Sequence, residues 1–326
     1  MKKFNISKKI LHWYDNNKRN LPWRKHNSEK QKLYFTLVSE FMLQQTQVKT
    51  VIPYFKNFVE KIPTLRSLAR VHNNKLIKCW EGLGYYSRAR NLKKTSQIIF
   101  KDFNGKLPDN LEHLKSLPGI GNYTASAILA IAFNKPYIPL DGNIERVLKR
   151  YLNLKKDSEI KKKNLIEKKS IFGISKRSND YAQALMELGA LICKPNNPLC
   201  HECPISKNCI SFVKKDFKIT KNNKKNIDKY FILKVYKKDK KYLLIKNTKF
   251  NFLKNLRIFP MKELSKPKNF NENLNYKMSN MNMNIKIMYF KSDKKLPYSY
   301  WVDQKKFNNH MLPTFTKKIA KYLERT

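Results

Sequence analysis

Apolar residues recur at helical spacing through the first two thirds of the chain, most clearly on both sides of Pro118-Gly119-Ile120-Gly121. The residues that keep this spacing are Leu111, Leu114 and Leu117 before the turn, and Ala125, Ile128, Leu129 and Ala132 after it. Such intervals predict one helix on each side, and Pro118 ends the first because proline cannot continue a helix. The glycines allow a tight turn and leave the amides of the second helix uncovered, which is typical of an anion site. An ordinary helix hairpin would explain the same residues.

The same spacing predicts further helices. One begins at Leu11 to Tyr14 and ends before Leu21-Pro22, and a second runs from Leu33 to Val48. The later helical segments are a short helix with Cys79 and Trp80, a Lys-rich region from Asn153 to Arg177, and a helix from Asp180 to Leu191.

Beyond Tyr230 the pattern changes to short apolar runs with turns between them, which predict strands. A Lys- and Asn-rich segment, Lys214 to Lys229, precedes them and has no periodicity, so we expect a linker. The predicted elements are strands at Tyr230–Tyr236, Tyr242–Ile245, Ile285–Phe290 and Tyr300–Val302, and a last helix at Phe315–Leu323. The fold class is therefore an all-α region followed by a small α+β domain.

Charge narrows the class of partner. The chain has 326 residues and a formal net charge of +45, which favours a polyanion, and nucleic acid fits better than a membrane because long apolar runs are absent. Arg contributes only 11 of the 69 basic residues, so we treat much of the Lys excess as solvated surface. The first residues lack the apolar core of a signal peptide, which predicts a cytoplasmic, nucleoid-associated protein with reduced cysteines.

Glu40 is the only charged residue of the run from Leu33 to Val48. A carboxylate among Leu37, Val38, Phe41 and Leu43 would be desolvated, which raises its pKa and suits a general acid near neutral pH. A Glu on the solvent side of an amphipathic helix is the alternative. Asp141 likewise has two interpretations, since an Asp before Gly142 is usually a turn residue or a helix cap.

Four of the five cysteines lie within seventeen residues, at Cys193, Cys200, Cys203 and Cys209. The spacing C-x6-C-x2-C-x5-C has only one close pair, whereas structural zinc sites usually have two. Four thiolates are what an iron–sulfur cluster requires. The fifth, Cys79, is expected to be a buried apolar residue.

These segments together resemble the endonuclease III superfamily of helix-hairpin-helix DNA glycosylases. In that superfamily Leu-Pro-Gly-(Ile/Val)-Gly is followed about twenty residues later by an essential Asp, here Asp141. The run Ser39-Glu40-Phe41-Met42-Leu43-Gln44-Gln45-Thr46-Gln47 is similar to the signature of the adenine-specific, MutY-type branch. The cysteine spacing matches the [4Fe-4S] loop of the same relatives.

The resemblance implies a domain order. Residues 27–136 would form a helical bundle with the hairpin, 1–26 and 137–213 a cluster domain, 214–229 a linker, and 230–326 a Nudix-like domain that reads 8-oxoguanine.

The C-terminal domain departs from the family at two places. Lys254 and Asn255 stand where paired glycines are usual, and Met278-Ser279-Asn280 stands at the position of the Phe-Ser-His lesion loop. An acidic Nudix box is absent from the sequence, so we do not expect pyrophosphate hydrolysis.

The resemblance also implies roles for single residues. Glu40 would protonate adenine and Asp141 would stabilise the positive sugar, with Tyr123 lining the pocket and Asn143 orienting Asp141 or holding a phosphate. The remaining implied contacts to DNA are Gln44 and Tyr85 beside the lesion, Arg88 on phosphate in the segment from Glu81 to Asn91, Gly119 and Gly121 at the hairpin, and Ser279 at the lesion.

The implied activity is removal of adenine mispaired with 8-oxoguanine or guanine, by a monomer that binds double-stranded DNA. A bifunctional glycosylase and lyase of endonuclease III type is the nearest alternative. It would need a Lys where Tyr123 stands, because a Schiff base requires an amine. A non-enzymatic DNA-binding protein with an inert cluster is the other alternative, and the presence of both Glu40 and Asp141 speaks against it.

Overall fold

The computed structural model describes residues 6–155, 162–218, 226–267, 269–290, 298–307 and 312–325. The chain divides into two compact units, the first formed by Met1–His72 with Ser87–Lys221 and the second by Asn73–Tyr86 with Asn222–Thr326. In the described ranges, no helix is both long and apolar enough to span a bilayer.

Helices form the first part of the chain, as the apolar spacing predicts. In chain order they are α1 (Ile6–Asn17), α2 (Glu29–Leu43), α3 (Val48–Lys61), α4 (Leu65–Arg70), α5 (Asn73–Trp80), α6 (Tyr86–Asp102), α7 (Leu111–Ser116), α8 (Asn122–Ile131), α9 (Gly142–Tyr151), α10 (Lys162–Lys168), α11 (Ser178–Glu187) and α12 (Ile210–Val213). The predicted hairpin is α7 and α8, and its turn lies where Pro118 and the two glycines stand. Part of the predicted helical region after Asn153, residues 156–161, lies outside the described residues.

The second helical run ends earlier than its apolar pattern suggests. Helix α2 stops at Leu43, and α3 begins only at Val48. Gln45 has a φ of 55°, a left-handed conformation that a helix cannot contain. The Gln44–Gln47 segment is therefore a turn between two helices, and the prediction of one continuous helix is wrong here.

One hydrophobic core of the first unit joins the N-terminal helix to residues far along the chain. Tyr14 of α1, Leu148 of α9 and Leu185 of α11 are all buried in it, as are Phe172 and Ile205. Three of the four clustered cysteines, Cys193, Cys203 and Cys209, pack against the same core. The cysteine segment is thus anchored to the helices that follow Asp141.

The described residues of the second unit form a seven-stranded sheet with the order β3-β2-β1-β6-β5, in which β4 pairs with β1 and β7 with β2. Its strands are β1 (Ile227–Lys238), β2 (Lys241–Lys246), β3 (Arg257–Ile258), β4 (Met261–Leu264), β5 (Leu274–Met278), β6 (Met281–Phe290) and β7 (Ser299–Asp303), followed by helix α13 (Thr314–Leu323). The long strands β1 and β6 pair in parallel, and the other pairs are antiparallel.

The four predicted strands and the last helix are confirmed, and β3, β4 and β5 were not predicted. Strand β1 begins at Ile227, so the last residues of the predicted linker are in the sheet; residues 219–225 of that linker lie outside the described part. Phe315, Ile319 and Leu323 of α13 are buried in the core of the sheet. Their spacing is the helical one, so α13 packs on the sheet with one face.

Candidate active site

A cavity of about 900 Å³ in the first unit brings together the groups that the sequence singles out. Glu40, Tyr123 and Asp141 line it, although they are contributed by α2, α8 and the N-terminus of α9. This volume lies within the roughly 300–1,000 Å³ that is usual for a small-molecule site. The cavity is therefore large enough for a nucleotide base.

Glu40 lies in the buried part of α2 and is only 4% exposed. Its Oε2 has no hydrogen-bond partner among the described residues. Burial raises the pKa of Glu40 to about 7, against the opposing effect of a hydrogen bond from Tyr123. The solvent-facing alternative for this residue is wrong, and the carboxyl can hold a proton near neutral pH.

Tyr123 is in the first turn of α8, directly after the hairpin glycines. Burial and the neighbouring carboxyl of Glu40 raise the pKa of Tyr123 well above 10, so its hydroxyl stays protonated and donates to Glu40. A phenol that is committed to this contact cannot replace the amine that a lyase would need.

Asp141 is the N-cap of α9. Its Oδ1 accepts a hydrogen bond from the Ile144 amide at 2.7 Å, and its Oδ2 accepts from Asn143 Nδ2 at 3.0 Å. Burial raises the pKa of Asp141 above its ordinary value, while these N–H donors oppose the rise. Two N–H donors and a helix N-terminus favour the charged form more than the single hydroxyl beside Glu40 does. Of the two carboxyls, Asp141 is therefore the more acidic.

Asn143 connects Asp141 to the cysteine segment through Arg146. The Asn143 Oδ1 accepts from Arg146 Nη2 at 2.8 Å, and the same guanidinium donates to the carbonyls of Gly189 at 2.6 Å and Cys193 at 2.7 Å. A Cβ on Gly189 would lie 2.7 Å from the Asn143 Cβ, so only glycine permits this packing. Two roles were implied for Asn143, and its contacts are those needed to orient Asp141.

The two hairpin glycines differ in what they do. Gly119 has a φ of +82°, and an added Cβ would lie 2.9 Å from the ring of Phe41, so the fold requires glycine there. Gly121 has an extended backbone, and a Cβ on it would meet nothing within 4 Å. Gln44 holds the hairpin from the other side, because its Nε2 donates to Gly119 O at 3.1 Å and to Thr124 Oγ1 at 3.3 Å.

This contrast gives a paired prediction. Gly119→Ala should destabilise the fold by about 1–3 kcal/mol, because alanine would be forced into a left-handed conformation against Phe41. Gly121→Ala should leave the melting temperature unchanged but weaken binding to duplex DNA, since Gly121 is the N-cap of α8 and an added Cβ would hinder a phosphate that approaches this helix N-terminus. Thermal unfolding and DNA titration of both variants test the pair. An unchanged affinity for Gly121→Ala would contradict a role of this turn in binding.

The contacts of Arg88 contradict its predicted role as a phosphate ligand. The residue is only 7% exposed, and its Nη1 donates to the carbonyls of Met42 at 2.7 Å and Gln44 at 2.6 Å. These are carbonyls at the end of α2, where a helix lacks internal donors. Arg88 therefore stabilises the end of the helix that carries Glu40, and it is not placed to grip a phosphate.

Two of the predicted site residues belong to the second unit. Tyr85 lies between α5 and α6, is 46% exposed and has a φ of 45°. Ser279 has a φ of 57° in the two-residue turn between β5 and β6, whose flanking residues Met278 and Met281 pair directly. Both residues are thus held at exposed turns.

The four cysteine side chains line one small cavity together with Arg150. Burial raises the pKa of the Cys203 thiol to about 12, and the neighbouring cysteines add to the rise. Arg150 is 5% exposed, lies 3.5 Å from Cys193 Sγ and donates to the carbonyls of Lys194 and Pro195 at 2.6 and 2.8 Å. In the described ranges, no three His, Cys, Asp or Glu side chains are close enough to hold one metal ion. The four thiols thus share one cavity with a buried cation.

A further group of residues that lines the active-site cavity was not predicted from the sequence. Glu187 is fully buried, and its two oxygens accept from Arg19 Nε at 2.7 Å and Arg24 Nη2 at 2.8 Å. Gln183 also accepts from Arg24, at 2.6 Å, and all four residues line the cavity. The sequence does contain a sign that Glu187 is buried, because this residue stands among apolar residues in its helix just as Glu40 does.

Comparison with known proteins agrees with this geometry. Residues 38–170 match the HhH-GPD superfamily of base excision DNA repair proteins. The adenine DNA glycosylase of Buchnera aphidicola subsp. Schizaphis graminum is 39% identical over 264 residues, which cover 78% of this chain and 74% of that relative. The chain belongs to the adenine DNA glycosylases. The human adenine DNA glycosylase is 40% identical over 211 residues, 61% of this chain and 38% of the human protein.

Solved structures show the same helical fold. A thermostable thymine-DNA glycosylase superposes with a TM-score of 0.56 at 26% identity, covering 64% of this chain and 95% of its own. An endonuclease III, trapped as a covalent intermediate with DNA, gives a TM-score of 0.53 at 23% identity with the same coverage. The predicted helix-hairpin-helix fold and the predicted base excision repair enzyme, a DNA glycosylase, are thus confirmed.

Proposed function

We propose that the cavity between α2, α8 and α9 receives adenine flipped out of a mispaired duplex, and that Glu40 and Asp141 remove it. The observation that carries this proposal is the unequal pair of carboxyls. One has a buried oxygen without a partner and a pKa of about 7, and the other is held by two N–H donors at a helix N-terminus. Such pairs divide into an acid and a counter-ion.

Glu40 donates its proton to a ring nitrogen of adenine, N7 by analogy with the family, so that the base can leave neutral. The bond between C1′ and N9 then breaks with its electron pair on the base. The sugar becomes oxocarbenium-like, and the negative charge of Asp141 stabilises it. Water adds to C1′ and loses a proton, which completes hydrolysis. Extrusion of the base costs a few kcal/mol and is easiest at a mispair.

We further propose that Cys193, Cys200, Cys203 and Cys209 hold a [4Fe-4S] cluster. The residues fit this group in two respects: the four thiols line one small cavity, and a buried guanidinium, Arg150, lies against Cys193. A cluster bound by four thiolates is anionic, so this cation favours it. The bound cluster would supply a covalent anchor for the loop. Through its hydrogen bonds to the Cys193 carbonyl and to Asn143, Arg146 would then connect the anchored loop to Asp141.

Metal analysis provides a direct test of this proposal. Protein purified without oxygen should contain about four iron atoms per chain and no zinc, because a [4Fe-4S] cluster contains four iron atoms. Cys203→Ser should lose most of this iron. Stoichiometric zinc in the wild-type protein would contradict the proposal.

We also propose that the second unit is a Nudix-like domain that reads 8-oxoguanine opposite the adenine, with Ser279 as the contact. Asn280 follows it in the same two-residue turn, and its carbonyl accepts a hydrogen bond from the Ile227 amide at 2.8 Å. Asn280 has no imidazole ring, so one or two lesion contacts are weaker than in relatives with a full Phe-Ser-His loop. The preference for 8-oxoguanine over guanine should therefore be smaller than theirs.

The test is single-turnover adenine release from duplexes that carry 8-oxoguanine or guanine opposite adenine, with a fully paired duplex as control. The wild-type protein should release adenine from both mispairs. The ratio of its two dissociation constants at fixed salt should increase in Asn280→His. A wild-type ratio that already equals that of a full-loop relative, and that is unchanged in the variant, would contradict the role given to this turn.

A further inference from the structure

The loop between α5 and α6 holds its exposed aromatic residue in a conformation that needs support. Gly82 and Gly84 have φ values of 97° and 76°, which glycine adopts readily, but Tyr85 follows with a φ of 45°. Non-glycine residues avoid this region, and the Tyr85 side chain is 46% exposed. Contacts elsewhere in the loop help to offset the strain.

Two such contacts lie within the second unit. The indole of Trp80, which is fully buried, donates from Nε1 to the Gly84 carbonyl at 3.1 Å. One residue further along, Glu81 Oε1 accepts from Lys317 Nζ at 2.5 Å. The loop is thus held at Gly84 by a neighbouring residue and at Glu81 by a residue 236 positions away.

Lys317 is carried by a rigid element. It is in α13, whose residues Phe315, Ile319 and Leu323 are buried in the core of the sheet. The side chains of Lys317 and Glu81 are both only partly exposed, at 29% and 24%. A fixed helix and partial burial reduce the entropy that usually cancels a surface ion pair.

The charge of the pair also matters beside DNA. Glu81 is the only acidic residue in the sequence from Asn73 to Tyr86. An uncompensated carboxylate four residues before Tyr85 would repel phosphates, and the ammonium of Lys317 neutralises it. The sequence has 69 Lys and Arg residues but only 24 Asp and Glu residues, so carboxylates are the scarce partner, and Glu81 pairs with Lys317.

We propose that Lys317 is a positioning residue for Tyr85. By holding Glu81 it keeps the turn that presents the exposed ring, and it links that turn to the sheet that carries Ser279. This inference rests on the proposed function and on the contact beside the lesion that the family resemblance implies for Tyr85. Contacts of the second unit with the opposing base and contact of the ring beside the target base are then parts of one event.

A charge-exchange experiment on the full-length protein tests the pair. The variants are Lys317→Glu, Glu81→Lys and the double exchange, with Lys321→Glu as control, because Lys321 is exposed one turn further along α13. The measured quantities are the ratio of dissociation constants for fully paired and mispaired duplex at fixed salt, and the fluorescence of 2-aminopurine beside the target adenine, which rises on unstacking.

Each single exchange should reduce the ratio by about two- to fivefold, the range expected for one partly exposed ion pair, and should lower the fluorescence rise. The double exchange should restore both, and Lys321→Glu should change neither. If Lys317→Glu behaves like Lys321→Glu, or the double exchange fails to restore the ratio, the inference is wrong. A pair that only stabilised the fold would move the melting temperature without moving the fluorescence.

The result that would contradict the proposed function differs from the result that would contradict the role of Lys317. A wild-type protein that releases no adenine, or that binds mispaired and paired duplexes equally, would overturn the proposed function and with it this inference. A wild-type protein that discriminates normally, with single exchanges that leave the ratio unchanged, overturns the role of Lys317 alone.

Discussion

Glu40→Gln is expected to lower single-turnover adenine release by about 10²- to 10⁴-fold, the range that general acid catalysis contributes. Glutamine has nearly the same shape but cannot donate a proton to the leaving base. Binding to a mispaired duplex should be retained, because the side chain is buried in α2 rather than at the surface. The rate is measured under single-turnover conditions and the affinity by titration.

The matched control for this variant is Glu29→Gln, an identical change at the exposed start of the same helix. It should have wild-type activity. If Glu40→Gln retains more than about a tenth of the wild-type rate, the role of general acid is wrong, since acid catalysis is worth at least roughly 10².

The pH dependence should follow from the same carboxyl. The pKa of Glu40 is about 7, so adenine release should fall as the pH rises above that value and the acid form is lost. Stability changes in the same direction: between its ordinary pKa of 4.5 and about 7, Glu40 stays protonated in the folded protein but ionises in the unfolded chain. Wild-type stability therefore declines as the pH rises through this window. Glu40→Gln cannot titrate and should lack both effects.

Asp141→Asn is expected to lower the rate by about 10²-fold or more, the usual effect of removing one electrostatic contact to a transition state. Asparagine is also a good N-cap, so Ile144 keeps its partner and α9 should remain intact. The loss is thus confined to the negative charge that faces the sugar. Rates, mispair affinity and thermal unfolding are compared with the wild type.

Asp109→Asn is the control for that change, because Asp109 is exposed and forms an ion pair with Lys135, away from the cavity lining. It should not alter adenine release. A normal rate in Asp141→Asn would refute stabilisation of the sugar by Asp141, and a large drop in its melting temperature would show that the charge of Asp141 acts mainly in stabilising the fold.

The helices and strands that could be predicted from the sequence are those whose apolar residues recur at the spacing of the side chains that the structure buries. The hairpin helices α7 and α8 have a clean apolar period and a Pro-Gly turn, and β1 and β6 are long enough for their pattern to be visible. The strands β3 and β4 have only two and four residues, so periodicity cannot distinguish them from loops. The end of α2 was also missed, since its apolar run continues past the left-handed Gln45.

Arg88 shows why side-chain roles were harder to predict than helices. In the sequence, an Arg in a Gly- and Tyr-rich segment is typical of a residue that contacts phosphate. The tertiary structure instead places it under the carbonyl groups at the end of α2, more than forty residues away along the chain. Glu187 was missed for the related reason that its partners, Arg19 and Arg24, lie in another part of the sequence.

The available chemical groups can be recognised in the amino-acid sequence: a lone carboxyl in an apolar helix, an Asp after a glycine hairpin, and four clustered thiols. Packing of the helices is what brings Glu40, Tyr123 and Asp141 into one cavity. It also leaves one oxygen of Glu40 without a partner, while Asp141 is held by two N–H donors. The physical reason is that the pKa of a group depends on burial and on nearby charges and donors. Those neighbours are contributed by helices about a hundred residues apart, and their positions are set only when the core packs.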